Sequence, residues 1–276
     1  MNCVAGRQTS RWLEFVYGRR PVLDDPAEVF HEASKLTPSE VDRQLEGARR
    51  LAATVDLQLS STRAVKRHGG ATMPLPAAAP LEQSLGEAIL RRRSKRAFAP
   101  EPIAERALAG LLHAGYGVTG VLEGGKPALT VRAVPSGGAL YPLELYAAVL
   151  RVANVEPGLY HFDPLRSSLE ILRLGLAAED LAALSTYPEI VSSCAALILV
   201  GAIFGRTRFK YGLRGYRFAL LEAGHVGQNV VLAATALGLA AVPLGGFFDR
   251  RTDAFLGLDG VNESTLYTIA VGPEAA

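Results

Sequence analysis

Apolar positions along this chain follow three rhythms, and each rhythm predicts a different kind of element. From Pro26 to Leu36 and from Pro38 to Val55 they recur three and four residues apart, which predicts two helices, the second with Ser39 as a candidate N-cap. From Gly69 to Pro80 the pattern dissolves into Gly, Ala and Pro, the composition of a linker. Ser84 then offers a cap for a helix running to about Arg93, and Ile103 to Tyr116 reads as another. Leu143 to Val152 and Ala195 to Phe204 are nearly continuous apolar runs, the mark of buried strands. Gly158 to Phe162 and Leu169 to Arg173 flank Asp163-Pro164 as a hairpin pair, and Leu266 to Val271 reads as a closing strand. Leu213 to about Leu239 is a long helix with very few charges. Helices and strands alternate without strict βαβ units, so the fold class is α+β. The chain divides into a helical appendage with a linker, residues 1–80, and a core, residues 81–276.

The longest uncharged apolar run is Val230 to Phe248. Gly238, Pro243, Gly245 and Gly246 argue against a membrane span there, and for a buried helix that ends and turns into a loop. Arg7, Arg11 and Glu14 interrupt any signal-peptide pattern at the start. With 49% hydrophobic residues a sizeable core can form. A net charge of +2 gives no reason to propose nucleic acid or an anionic membrane as partner. Two cysteines, Cys3 beside a terminus and Cys194 beside an apolar run, suggest neither a disulfide framework nor a zinc site, which fits a reducing cytoplasm.

Five constellations could carry chemistry. Lys210-Tyr211 stands at the mouth of the long helix; a desolvated lysine is a candidate base, and the phenol could position or relay the proton. On spacing alone a solvated helix start, with Arg214 and Arg217 facing water, is the commoner arrangement. Arg91 to Arg96, with Arg92, Arg93, Ser94 and Arg96, suits a phosphate, because guanidinium forks bind two oxygens and a hydroxyl adds a donor. A solvated C-terminal helix cap explains the same charges equally well. Pro135-Ser136-Gly137-Gly138 and Pro243-Leu244-Gly245-Gly246 let backbone approach a flat ligand, although an ordinary loop and an ordinary helix exit are commoner uses of a lone Gly-Gly pair. Neither has dinucleotide or P-loop spacing. On the long helix Arg214, Arg217, Glu222, His225, Gln228 and Asn229 share one arc. Glu222 and His225 lack a third ligand, so no metal site is expected, and His225 reads as a hydrogen-bonded structural histidine.

Taken in order, these segments resemble the nitroreductase superfamily of FMN enzymes. The resemblance is carried by Arg92 to Arg96, by Pro135 to Pro142 (Pro-Ser-Gly-Gly-Ala-Leu-Tyr-Pro) and by Pro243 to Phe247. Within that superfamily, Lys210 to Arg217, Leu221 to His225 with Gln228-Asn229, and Tyr160 to Pro164 are similar to the SagB-type azoline dehydrogenases of thiazole- and oxazole-modified peptide biosynthesis. The resemblance covers Leu81 to Gly272. It implies a nitroreductase-like fold with a central, mostly antiparallel sheet flanked by helices, in an intertwined homodimer with FMN at the interface. It implies that Arg92, Ser94 and Arg96 hold the phosphate and ribityl chain, with Arg93 beside them. Ser136 and Gly137, next to Pro135 and Gly138, would approach the isoalloxazine from the partner subunit. Gly245 and Gly246, after Leu244, would offer N–H groups to its edge, and Lys210 with Tyr211 would be the catalytic pair. The substrate would be an azoline-containing peptide, and the partner a cyclodehydratase complex, to which the appendage could dock. An NAD(P)H-dependent nitro- or quinone-reductase, or a non-catalytic scaffold subunit, are the competing functions.

Overall fold

The computed structural model describes residues 25–36, 38–57, 65–122 and 129–275. Cys3, Arg7, Arg11 and Glu14 lie outside them. The chain runs α1 (Pro26–Ala33), α2 (Pro38–Ala53), β1 (Thr72–Pro74), α3 (Leu85–Arg91), α4 (Glu105–Tyr116), β2 (Val118–Leu122), β3 (Leu129–Arg132), β4 (Leu143–Val149), β5 (Gly158–Asp163) and β6 (Ser168–Leu174). It continues through α5 (Ala178–Ala182), α6 (Pro188–Ser193), β7 (Ala196–Ile203), α7 (Gly205–Tyr211), α8 (Leu213–Ala236), β8 (Leu239–Leu244), α9 (Asp249–Leu256) and β9 (Glu263–Pro273).

Seven strands form one sheet in the order β1-β6-β5-β4-β7-β9-β8, and every pairing in it is antiparallel. This is the expected α+β architecture. The central strands are apolar on both faces because both faces are covered. Leu143, Leu145, Ala147 and Val149 of β4 join Ile198 and Val200 of β7 beneath α4 and α8. Tyr146 and Ala148 alternate to the other face, where Leu197, Leu199 and Val242 pack against Leu181, Val191 and Leu256 of α5, α6 and α9. The period of two in a strand sends alternate residues of one run to two cores. Ser84 does cap α3, in a capping box with Glu87.

Several stretches differ from what the sequence predicts. The helix after Leu213 stops at Ala236, and Leu239–Leu244 is a strand rather than the end of a helix. It is the sheet's edge strand, so Pro243 lacks only an N–H that no neighbour needs. The Gly/Ala/Pro stretch after Gly69 contributes β1, paired to β6. Glu170 helps fix this segment by accepting the N–H groups of His68 and Gly70 at 3.0 and 2.8 Å. The hairpin β2–β3 and the short helices α5, α6, α7 and α9 have too few residues to show a period. Ser39 lies within α2, one residue after its start, and is not an N-cap.

Candidate active site

The register of two strands builds the site. Leu143 pairs with Ala202, so the chain entering β4 and the chain leaving β7 meet at one end of the sheet. The first is Pro135 to Pro142; the second becomes α7 and carries Lys210 and Tyr211. The two touch at Gly138. A Cβ built there would lie 2.6 Å from Tyr211 Oη and 2.8 Å from Lys210 Nζ, and one on Gly137 would lie 3.0 Å from Phe218 Cδ2. Only a glycine admits both functional groups at this distance. Phe218 also meets the Tyr211 ring edge-on at 4.9 Å, and Lys210 Nζ stands 5.0 Å from the centre of that ring.

The loop is held in a costly conformation. Gly138, Ala139 and Tyr141 all have positive φ, at 67°, 53° and 44°, and two of the three carry side chains. Such residues persist where surrounding contacts over-determine them, and they gather at functional sites. Here the Tyr141 N–H donates to Ser136 Oγ at 2.9 Å, its phenol accepts the Arg132 N–H at 3.0 Å, and its carbonyl accepts from Arg206 at 3.3 Å. The Arg132 guanidinium lies over the Tyr116 and Tyr141 rings, 4.4 and 4.7 Å from their centres.

Beneath the loop is Glu222 of α8, only 2% exposed. It accepts the Tyr116 phenol at 2.6 Å, and that phenol in turn accepts the Leu143 N–H at 3.1 Å. Burial pushes the Glu222 carboxyl up to about 7, against the lowering influence of Ser136, Tyr116 and Arg132. Its neighbour on the expected polar arc, Asn229, also turns inward, to the carbonyls of Ala114 and Ala133 at 3.0 and 3.3 Å. Arg217 faces α1 rather than water, donating to Ser34 Oγ at 2.7 Å and to the His31 carbonyl. His225 does not take its expected role: it is exposed and makes no hydrogen bond among the described residues. The arc straddles the edge of the buried face, which periodicity alone could not place.

A second buried cluster escaped the sequence reading. Glu144 on β4 binds Arg206 at 2.6 Å, His161 at 2.7 Å and the Lys66 N–H at 2.7 Å. Burial alone would raise Glu144; Arg206 and His161 outweigh it and hold the carboxyl at about 2. This cluster ties residues 65–70 and the start of α7 to the sheet, below the Lys210 helix. Its one sequence signal was Glu144 standing inside an apolar strand.

Lys210 and Tyr211 sit not on the long helix but on α7, which breaks from α8 at Gly212 with φ 56°. Helices α1 and α2 pack on that break. A Cβ on Gly47 of α2 would fall 2.8 and 2.9 Å from the Lys210 carbonyl oxygen and Cα. Arg214 donates to the Ser34 carbonyl at 3.3 Å, and Phe30 meets Tyr216 edge-on at 5.3 Å. Between α7 and residues 33–36 lies a cavity of about 610 Å³.

The remaining expected residues form a separate group along β8. Arg92, Arg93, Ser94 and Arg96 follow α3, and the Lys95 N–H donates to Ala241 of β8 at 3.1 Å. Arg93 closes the helix end on the Leu90 and Arg92 carbonyls, both at 2.8 Å, while Lys95 pairs with Glu274. Arg92 and Arg96 meet no carboxylate among the described residues, and Arg96 donates only to the Ser94 carbonyl, at 3.3 Å. β8 delivers Leu244 to Gly245 and Gly246. The Gly246 carbonyl accepts from Ser185 and Thr186, whereas the Gly245 and Gly246 N–H groups have no acceptor among the described residues. Arginines without a carboxylate partner among the described residues, beside β8, and unclaimed amides at its end fit a phosphate-bearing ligand with a flat acceptor edge. Within one chain, no hydrogen bond or ion pair among the described residues joins this group to Lys210.

The frame of the site is thus an antiparallel seven-stranded sheet between two helical layers, with a strained Gly-Gly loop at one end and an arginine segment beside its edge strand. The Nitroreductase family profile matches residues 89–273, and the chain belongs to that family. It is 36% identical over 191 residues to MJ1384 of Methanocaldococcus jannaschii, a protein named for the same family, covering 69% of this chain and 91% of that one. It is 34% identical over 138 residues to the microcin B17-processing protein McbC of Escherichia coli, covering 48% of this chain and 51% of McbC. Among solved structures, it matches a chain of the E. coli microcin synthetase McbBCD complex with truncated pro-MccB17 bound. The TM-score there is 0.57 at 25% identity, over 81% of this chain and 82% of that one. Among the described residues no helix is long and apolar enough to cross a membrane.

Proposed function

We propose that the protein is an FMN-dependent dehydrogenase that oxidises peptide azolines, thiazolines or oxazolines, to azoles. The observation that carries the reading is the contact at Gly138, which sets a lysine amine and a phenol together against a strained glycine loop. A reductase that only passes hydride has no use for a base there. Likeness to a microcin-processing protein supports a peptide as substrate.

Arg92, Ser94 and Arg96 hold the FMN phosphate and ribityl chain in this reading, Gly245 and Gly246 offer N–H groups to the ring edge, and Pro135 to Gly138 face the ring. FMN, when bound, would supply the two-electron acceptor for the hydride that leaves the azoline β-carbon. Lys210, as the amine, removes the proton from the neighbouring α-carbon. Tyr211 Oη positions that amine, and Phe218 keeps the phenol in place. The substrate thus loses one proton and one hydride, and aromatisation favours the products. Alignment of donor and acceptor by such a site can lower the barrier by several kcal/mol.

The reading extends to a homodimer. Leu85, Ile89 and Leu90 of α3 and Leu221 of α8 are exposed, apolar and on touching helices, which suits a subunit interface. It also extends to a cyclodehydratase partner that makes the azoline, to work in the cytoplasm, and to a division between residues 1–80 and 81–276.

The test is anaerobic stopped-flow absorbance with an azoline-containing peptide. The flavin band should bleach in wild type and persist in Lys210→Ala with FMN retained. Bleaching by NAD(P)H but not by the azoline would replace this reading with a reductase.

A further inference from the structure

The cavity of about 610 Å³ beside α7 has a one-signed lining. Lys35, Arg208 and Arg214 face it as cations beside the Lys210 amine, and none of its lining residues is acidic. Lys35 pairs with Glu32 at 2.5 Å across an exposed surface, a weak bond that a competing anion can replace. Arg208 has no carboxylate partner among the described residues, and Arg214 Nε is buried without a hydrogen bond. The first turn of α8, which also borders the cavity, has no side-chain cap, so its dipole adds to the same field. Apolar Leu36, Phe209 and Leu213 complete the lining and are each partly exposed. A concave site with clustered cations and apolar walls takes an anion carried on a larger, partly apolar ligand.

One wall belongs to the appendage. Ser34, Lys35 and Leu36 stand across from α7, α1 is fixed there by Arg214 and Arg217, and Gly47 seats α2 against the Lys210 backbone. Without residues 33–36 the cavity would be an open slope.

We propose that the N-terminal helices are the substrate-selecting wall of this site, and that the cavity binds a carboxylate-bearing segment of the substrate peptide next to the ring being oxidised. The proposal deepens the azoline reading and rests on it for the word substrate. A peptide carboxylate is favoured over a free phosphate because the apolar walls Leu36, Phe209 and Leu213 suit an anion carried on a peptide, while the FMN phosphate is assigned in this reading to Arg92, Ser94 and Arg96. Acidic residues flanking an azoline would add ion pairs to Lys35 and Arg208 while the ring reaches Lys210.

The test is calorimetric titration of the flavin-loaded protein with two unreactive product peptides. Each carries a thiazole, flanked by glutamates in one and by glutamines in the other. The glutamate peptide should bind about tenfold more tightly at low salt, equivalent to ~1.4 kcal/mol, and added salt should shrink the difference. Arg208→Gln combined with Lys35→Gln should abolish the preference, with flavin content and melting temperature kept. Gly47→Ala, which displaces α2, should weaken the glutamate peptide by another route. Equal binding of the two peptides, no binding of either, a preference surviving in the double variant, or displacement by equimolar inorganic phosphate would each overturn the proposal. The two readings fail separately. An azoline that bleaches the flavin while both peptides bind alike removes only the carboxylate site. A glutamate preference lost in the double variant, with no azoline able to bleach the flavin, removes only the oxidation.

Discussion

Gly138→Ala tests the site at its narrowest point. The residue has φ 67°, where a Cβ crowds its own carbonyl, at a cost of roughly 1–2 kcal/mol for alanine. The new methyl would also fall 2.6 Å from Tyr211 Oη and 2.8 Å from Lys210 Nζ. Both atoms end flexible side chains, so the overlap is relieved by moving them about an ångström rather than by unfolding the loop. Stability should therefore drop by only roughly 1–2 kcal/mol, which for a chain of this size lowers the melting temperature by roughly 2–8 °C. The chemical effect should be larger, because misplacing a catalytic group by about 1 Å can cost about a hundredfold. The assay is the rate of anaerobic flavin bleaching by an azoline peptide, beside thermal melting and flavin content. Folded, flavin-loaded Gly138→Ala protein should bleach about a hundred times more slowly than wild type. If it bleaches at the wild-type rate, Lys210 and Tyr211 do not act from beside Gly138, and the proposed base is wrong.

Other outcomes follow from the buried carboxylates and the guanidinium pair. Glu222 sits near 7 in the folded chain and near 4.5 unfolded, so the native state binds the extra proton between those values. Its contribution is complete below about pH 4.5 and fades as pH rises through about 7. Glu222→Gln should remove that slope and gain on the order of 3 kcal/mol relative to wild type above pH 7; parallel wild-type and variant melting curves from pH 5 to 8 would contradict this. Glu144 is held at about 2, so its contribution is present above about pH 4.5 and lost as pH falls toward 2. Glu144→Ala leaves Arg206 without its buried partner and should cost about 3–5 kcal/mol in a denaturant titration; a loss below 1 kcal/mol would show that the cluster does not secure α7. Arg92→Ala with Arg96→Ala should lower FMN occupancy after gel filtration while the melting temperature of the apoprotein stays put, and unchanged occupancy would move the phosphate elsewhere.

The local pattern of the chain determined its class and much of its element list. The short apolar runs at β4 and β7, rich in branched side chains, read as strands covered on both faces, and Leu213–Ala236 is periodic over enough turns to read as a helix. The motifs were legible too, because Gly-Gly pairs and arginine runs are local in sequence. What they do together was not local. The register Leu143 to Ala202 decides that a glycine loop and a lysine sixty or more residues apart share one site, and no property of either segment contains that register. The strand Leu239–Leu244 was hidden because a proline argues against a strand until the sheet makes that strand an edge. Glu222 and His225 looked alike on one arc; only packing turned one toward Tyr116 and left the other exposed. The appendage carried the weakest signal of all. Its place against Lys210 comes from Gly47, Ser34 and the arginines of α8 meeting across most of the chain, which is a decision of tertiary packing alone.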